Sequence, residues 1–184
     1  MHQERTLRDL DHRLLAAAHA HGDRPRIAAA ARILSHSGEH GALWLAAGLT
    51  GAAADPAHRT AWLRGTAVTA GAHLASMGVK RLVRRPRPHR VAPRVSTAGR
   101  HSFPSSHATS AAAAAVACAA LRPPGLCAVL PLAAAMCLSR LVVGVHYPSD
   151  VAAGVALGAL TARLGARWMT RLPTAKGTDR GAVA

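Results

Sequence analysis

Five apolar segments, separated by residues that end helices, restrict what this chain can fold into. They cover about 41–54, 61–79, 108–121, 125–145 and 151–169. The segments consist mostly of Ala, Leu, Val and Gly, and only 3% of the whole chain is aromatic. Small residues suit the close packing of helices, whereas strands favour β-branched and aromatic residues. The sequence therefore predicts an all-α fold.

The apolar segments also have the character of membrane helices. Several are near or below the roughly 20 residues that a bilayer crossing requires, so we expect flanking turns to extend them. We predict an integral-membrane helical bundle with about five spanning helices. A soluble all-α bundle of Ala-rich helices is the alternative, and it stays open at this point.

The first 38 residues have a different pattern. Leu7, Leu10, Leu14 and Leu15 fall near one face of a helix over about 7–20, and charged residues fall on the other. Such an amphipathic helix lies on a membrane rather than crossing it. A second short helix is predicted over about 26–34. The chain thus divides into amphipathic interfacial helices (1–38), a transmembrane domain (39–172) and a disordered polar tail (173–184).

The charge of the chain points to an anionic partner. Its formal charge is +15, with 23 Lys and Arg against 8 Asp and Glu, and eight of these cations lie between Lys80 and Arg100. Nucleic acid, an anionic membrane and a phosphorylated substrate all fit this balance. A nucleic-acid surface normally interleaves aromatic residues for stacking, and the run from Lys80 to Arg90 contains none. Membrane lipids and a phosphorylated substrate are therefore the expected partners, without nucleic acid.

Three polar clusters adjoin the apolar segments. The first runs from Lys80 through Arg87 to Pro88, and alone it fits a basic loop that holds lipid head groups. The second, Phe103 to Ala108, has Pro104 in the predicted first turn of a helix, followed by Ser105, Ser106 and His107. Free backbone amides there can bind an anion, although an ordinary Ser-capped helix fits equally well. The third comprises Ser139-Arg140 and His146 to Asp150, with a helix start predicted at Pro148. Its simpler interpretation is a capped helix with an interfacial arginine.

The order of the segments brings the three clusters together. Segment three begins beside His107 on the side of the membrane that holds Lys80. Segment four returns to that side with Arg140 near its end, and segment five begins there at Asp150. A carboxylate four residues after His146 can fix one ring nitrogen and leave the other free to attack. The clusters are therefore predicted to form one site.

The spacing of these residues resembles that of a known family. Lys80-x6-Arg87-Pro88, Pro104-Ser-Ser-His107 and Ser139-Arg140-x5-His146-x3-Asp150 are similar to the three-part motif of the type 2 phosphatidic acid phosphatase superfamily. Membrane lipid phosphatases, bacterial acid phosphatases and vanadium haloperoxidases belong to it. Ser106 stands where the family usually has Gly. Only a backbone amide is needed there, so we expect phosphate binding to survive.

The resemblance implies a role for each matching residue. It makes His146 the nucleophile, Asp150 its orienting partner and His107 the acid and then the base. Phosphate would be bound by the following residues: Lys80, Arg87, Ser105, Ser106 and Arg140. No metal or other cofactor is expected, because Asp150 is the only carboxylate between Lys80 and Arg171. Arg81, Arg84, Arg85 and Arg90 are left without a specific role.

The resemblance favours a multi-pass phosphatase of the plasma membrane. The favoured substrate is a polyprenyl phosphate or a polyprenyl-phosphosugar, because the Pro-Ser-Ser-His form resembles that of small family members assigned to such lipids. Phosphatidate and phosphatidylglycerol phosphate stay open as substrates, and so does an inactive lipid-binding relative. A haloperoxidase is disfavoured by the five apolar segments. A transporter is disfavoured because the chain lacks paired broken helices in two halves.

Overall fold

A computed structural model describes residues 2–97, 99–121 and 126–170 of the chain, with side chains described from Thr6 onward except at Leu126. The predicted tail at 173–184 lies outside the described residues. The described part is helical without strands, which confirms the all-α prediction. Seven helices follow one another: α1 His2–Ala20, α2 Pro25–Ser37, α3 Ala42–Ala54, α4 Arg59–Val83, α5 Ser106–Leu121, α6 Leu126–Val142 and α7 Pro148–Thr170.

Helices α3 to α7 correspond to the five apolar segments. The end of α4 lies four residues beyond the predicted segment, at Val83. Helix α6 stops at Val142, whereas the segment was drawn to residue 145. Gly144 causes the stop, since its φ of 76° places it in the left-handed region that ends helices. In the described part of the chain, no helix combines the length and the apolar character needed to cross a membrane. The prediction of about five spanning helices stays a prediction.

Proline marks the start of α7 but not that of α5. Pro148 is the first residue of α7, as predicted. Pro104 was expected in the first turn of α5, but that helix begins at Ser106, and Ser105 occupies the capping position. The reason is that the Ser105 amide donates to the Asp150 carbonyl at 2.9 Å, which fixes Ser105 against α7 before the helix starts.

Helix α1 presents its leucines on two faces rather than one. Leu15 is buried, whereas Leu7, Leu10 and Leu14 are exposed. At 100° per residue, Leu15 is rotated away from Leu14, so it packs inward while the other three form an outward stripe. The single apolar face predicted for the four leucines is therefore wrong at Leu15, and the stripe of three remains.

Helix α5 lies at the centre of the bundle and packs most closely on α7. Its buried residues are Ala, Ser and Thr. On α7, Gly154 and Gly158 face it so closely that an added methyl group would lie 2.5 Å from the Ser105 carbonyl oxygen and 2.1 Å from that of Thr109. Only glycine permits this approach, which holds the start of α5 beside the start of α7.

Candidate active site

A pocket of about 170 Å³ opens where the ends of α4 and α6 meet the start of α5. Three loops and helix ends that are far apart in sequence contribute to its wall. Six of the eight predicted site residues line it: Lys80, Arg87, Ser106, His107, Arg140 and His146. The three motifs therefore meet at one place.

His146 lies on the turn between α6 and α7, with 2% of its side chain exposed. The shape of that turn is set by the backbone. The Val145 amide donates to the Arg140 carbonyl at 3.2 Å, and Gly144 takes the positive φ that a side chain would disfavour. These contacts hold the imidazole in the pocket wall.

Asp150 lies behind His146 and is fully buried. Its Oδ2 atom is 3.5 Å from His146 Nδ1 and accepts a 2.8 Å hydrogen bond from the Tyr147 amide. At 3.5 Å the ring nitrogen makes no hydrogen bond, but catalytic contacts of this kind commonly shorten when substrate binds. The carboxylate faces Nδ1, so it favours the tautomer with hydrogen on Nδ1 and a lone pair on Nε2.

The surroundings keep His146 neutral. Burial lowers its pKa to about 3, and although Asp150 opposes the shift, Arg140 and Arg87 add to it. A neutral imidazole has the lone pair that a nucleophile needs. The ring of His146 is therefore unprotonated on one nitrogen near neutral pH.

Three cations line the pocket around His146. Arg87 is held by two carbonyls, as Nε donates to Gly99 at 2.7 Å and Nη1 to Val145 at 2.9 Å. Burial lowers its pKa, and Asp150 opposes this. Arg140 Nη1 donates to the Ser35 hydroxyl, while its Nε is buried without a partner. With Lys80, these groups surround a space suited to a phosphate.

His107 stands at the start of α5 and is fixed by α2. Its Nε2 atom donates to the Ser35 carbonyl at 2.9 Å, which leaves Nδ1 as the nitrogen available for proton transfer. A methyl group on Gly38 would lie 2.6 Å from the Cδ2 atom of this ring. The end of α2 therefore contacts the imidazole of His107 and holds it in position.

The two serines of the second motif occupy different environments. Ser105 is fully buried and is not part of the pocket wall; its hydroxyl lies 3.5 Å from the Ala108 amide, as in a helix cap. Its predicted contact with phosphate stays a prediction. Ser106 does line the pocket, and its hydroxyl makes a weak 3.7 Å contact with Met77 Sδ. The amides of Ser106 and His107, in the first turn of α5, have no carbonyl partner four residues back.

Two residues that hold the site in place were not identified from the sequence. Ser35 is buried on α2 and contacts both Arg140 and His107. Arg85 lies beside Asp150, and its Nη1 donates to Oδ1 at 2.9 Å. The sequence around Ser35 does not mark it as part of a site. Arg85 belongs to the basic run, and the sequence assigned it no specific role. Arg84, which precedes Arg85, adopts a positive φ of 52° and ends α4. The chain turns at this residue, and Arg85 then contacts the start of α7.

Among the described residues, no group of three or more His, Cys, Asp or Glu side chains is arranged to hold a metal ion. Of the Lys, Arg, Asp and Glu side chains that line the pocket, three are cations (Lys80, Arg87 and Arg140) and one is the carboxylate Glu39. The metal-free reaction stays a prediction.

The pattern and the fold both match known phosphatases. The sequence profile of the PAP2 superfamily matches residues 61–173. The chain is 49% identical over 148 residues to the decaprenylphosphoryl-5-phosphoribose phosphatase of Mycobacterium tuberculosis (strain CDC 1551 / Oshkosh), covering 79% of this chain and 82% of that protein. The enzyme of the same name from Mycolicibacterium smegmatis is 49% identical over 146 residues, covering 77% and 78%.

A solved structure has the same helical arrangement. It is a transmembrane PAP2-type phosphatidylglycerolphosphate phosphatase from Bacillus subtilis, with a TM-score of 0.71 and 22% identity over 86% of this chain and 84% of that one. At this identity the likeness supports the fold only. Together with the motifs gathered in one pocket and the profile match over most of the helices, these comparisons establish that the chain belongs to the PAP2 superfamily.

Proposed function

We propose that this protein is a membrane phosphatase that removes the terminal phosphate of a polyprenyl-phosphosugar through a phosphohistidine on His146. The observation that carries the proposal is the pocket itself. It combines a neutral buried imidazole, a second imidazole and three cations around a space of phosphate size. Phosphoryl transfer requires a nucleophile, a proton donor and fixed positive charge.

In the first step, Nε2 of His146 attacks phosphorus. The P–N bond forms as the P–O bond to the lipid-linked alcohol breaks. His107 enters this step as the imidazolium, with Nε2–H on the Ser35 carbonyl, and passes its Nδ1 proton to the leaving oxygen. Asp150, beside Nδ1 of His146, stabilises the positive charge that develops on the attacking ring. Lys80, Arg87 and Arg140 balance the charge on the phosphoryl oxygens.

In the second step, water attacks the phosphohistidine. His107, now neutral at Nδ1, takes a proton from the water while the new P–O bond forms and the P–N bond breaks. Inorganic phosphate leaves, and both histidines return to their starting states. The Ser35 carbonyl accepts from His107 Nε2 throughout, so the same ring nitrogen serves both steps.

The pocket wall also includes polar residues that the proposed hydrolysis does not use, and these favour a phosphosugar. They can form hydrogen bonds to hydroxyl groups: Glu39, His40, His73, Ser96 and Thr97. A carboxylate repels phosphate but accepts hydrogen bonds from a diol, so Glu39 is better suited to a sugar than to an acylglycerol. The names of the mycobacterial relatives agree with this choice. Phosphatidate and phosphatidylglycerol phosphate are the alternatives.

The outer surface of the bundle favours a membrane location. Large apolar side chains point outward from α4, α6 and α7, as at Leu74 (69% exposed), Leu130 (61%) and Leu164 (76%). Many of the buried residues between the helices are Ala, Gly, Ser and Thr. Such an arrangement, with leucines outside and small residues between helices, is typical of helices packed in lipid. We propose that α3 to α7 are embedded in the plasma membrane as a multi-pass bundle.

The substrate is tested with a panel of lipid phosphates. Purified protein in detergent is assayed with a prenyl-phosphosugar phosphate, undecaprenyl diphosphate, phosphatidate and phosphatidylglycerol phosphate. We expect the highest kcat/KM for the phosphosugar. Glu39→Gln should lower that value about tenfold or more and leave phosphatidate nearly unchanged, since a hydrogen bond to a charged acceptor contributes on the order of 1.5–3 kcal/mol. A higher kcat/KM for phosphatidate would refute the substrate assignment.

Activity should persist in EDTA and be inhibited by vanadate. The three cations take the place that magnesium has in many phosphoryl transfers, and vanadate adopts the five-coordinate geometry that they surround. Initial rates with and without chelator provide the measurement. Loss of activity in EDTA with recovery on addition of magnesium would contradict a metal-free reaction.

A further inference from the structure

Helix α1 contributes one carboxylate to the support of the active site. Asp11 is largely buried, with 10% of its side chain exposed. Its Oδ2 atom accepts a 2.8 Å hydrogen bond from Arg85 Nη2, and its Oδ1 atom accepts one of 2.9 Å from the Ser149 amide. Asp11 precedes the region matched by the PAP2 profile, so the family motif does not include it.

Arg85 joins Asp11 to Asp150. Its Nη1 atom donates to Asp150 Oδ1 at 2.9 Å and to the Ser149 hydroxyl at 2.6 Å, and its guanidinium lies 4.2 Å from the centre of the Tyr147 ring. The Ser149 hydroxyl in turn donates to Asp11 Oδ2 at 2.5 Å. The planar guanidinium is thereby fixed on both edges and on one face.

The charges of Asp11, Arg85 and Asp150 affect the charge next to His146. Asp11 is ionised: burial opposes its charge, but hydrogen bonds from Arg85 and Ser149 outweigh burial and lower its pKa. Two carboxylates thus share one guanidinium, and the group keeps a net negative charge beside Nδ1 of His146. Without Asp11, Arg85 would neutralise Asp150 alone, and the ring would lose the charge that stabilises it during attack. Burial limits the screening of these interactions.

We infer that Asp11 and Arg85 are positioning residues for the nucleophile, acting through Asp150 rather than on the substrate. This inference rests on the proposed function, because it requires His146 to attack phosphorus. Both residues lie behind Asp150, outside the phosphate pocket. They should therefore affect the rate of phosphohistidine formation and leave the binding of phosphate unchanged.

The test measures the first step directly. The full-length protein in detergent is mixed with p-nitrophenyl phosphate, and the burst of p-nitrophenolate gives the rate of phosphoenzyme formation. Asp11→Asn should slow the burst about 10- to 100-fold and leave KM nearly unchanged. This is the range found when a group that only orients a metal-binding side chain is removed, and Asp11 orients His146 in the same indirect way. The loss should be equal on a lipid phosphate, because orientation of the nucleophile does not depend on the leaving group.

Matched variants separate this role from general destabilisation. Asp9→Asn makes the same change at an exposed position of α1, and Arg81→Gln removes an exposed cation of the basic run; both should keep wild-type burst rates. Arg85→Lys keeps the charge but cannot reach both carboxylates at once, so it should slow the burst like Asp11→Asn. If a thermal melt shows that Asp11→Asn does not fold, Arg85→Lys provides the test instead.

Two results would overturn the inference. One is a burst rate for folded Asp11→Asn or Arg85→Lys equal to that of its control. The other is a loss expressed only as a higher KM, which would place these residues on the substrate. Failure of the proposed function is distinguishable, since the wild-type protein would then give no burst.

Discussion

Replacing His146 with Ala is expected to reduce turnover at least about a thousandfold on any phosphate substrate, in keeping with what loss of a nucleophile costs. In the described structure, His146 is the imidazole that Asp150 faces, at 3.5 Å from Nδ1. The turn that carries it is shaped by the backbone of Arg140 and Val145, so the variant should fold. Steady-state rates and a thermal melt provide the measurements.

His89→Ala serves as the control for this prediction. His89 is an exposed histidine of the loop that precedes the second motif, and its loss should leave turnover close to that of the wild type. Residual activity of folded His146→Ala above about a thousandth of the wild type would remove His146 from the nucleophile role.

Replacing His107 with Ala should slow the first step far more on a lipid phosphate than on p-nitrophenyl phosphate. An alkyl alkoxide is a poor leaving group and needs a proton, whereas p-nitrophenolate leaves without one. The difference between the substrates should be on the order of 10²–10⁴, the contribution of general acid catalysis. Single-turnover rates on both substrates are compared, because His107 also acts in the second step.

Lys80→Ala is the control for His107→Ala. Lys80 lines the pocket and is proposed to bind the phosphate of either substrate, so its loss should slow both by a similar factor. Accumulation of phosphoenzyme on the aryl substrate with His107→Ala would support its role as base. Equal first-step losses on the two substrates would mean that His107 only binds phosphate.

The sequence predicted the parts of the fold that local patterns encode. Segment composition and helix-ending residues located α3 to α7 to within a few residues, because alanine-rich helices end where proline or a positive φ requires it. The order of the segments also placed Lys80, His107, Arg140 and His146 on one side of the bundle. That inference needs only the direction of successive helices.

Contacts between distant segments were not predictable in this way. Ser35 contacts Arg140 and His107 from α2, and Asp11 reaches Arg85 from α1. A serine and an aspartate within helices have no neighbours in sequence that mark them as parts of a site. Their partners depend on the angle at which α1 and α2 return over α6 and α7, which tertiary packing decides.

The start of α5, just before His107, differs slightly from the prediction. Pro104 has the φ angle of a first helical residue, so its position favoured a helix from that point. The hydrogen bond from the Ser105 amide to Asp150 overrides this local preference and moves the start to Ser106. As a result Ser105 is buried behind the pocket, and Ser106 lies in its wall.

Trapping of the phosphoenzyme tests the central claim most directly. The wild-type protein is mixed with ³²P-labelled substrate, quenched in alkali to preserve a phosphoramidate, digested and analysed by mass spectrometry. We expect one labelled peptide with phosphate on His146, stable in alkali and lost in acid, and no label in His146→Ala. Label on another residue, or turnover of labelled substrate without any phosphoenzyme in rapid-quench samples, would contradict a phosphohistidine mechanism at His146.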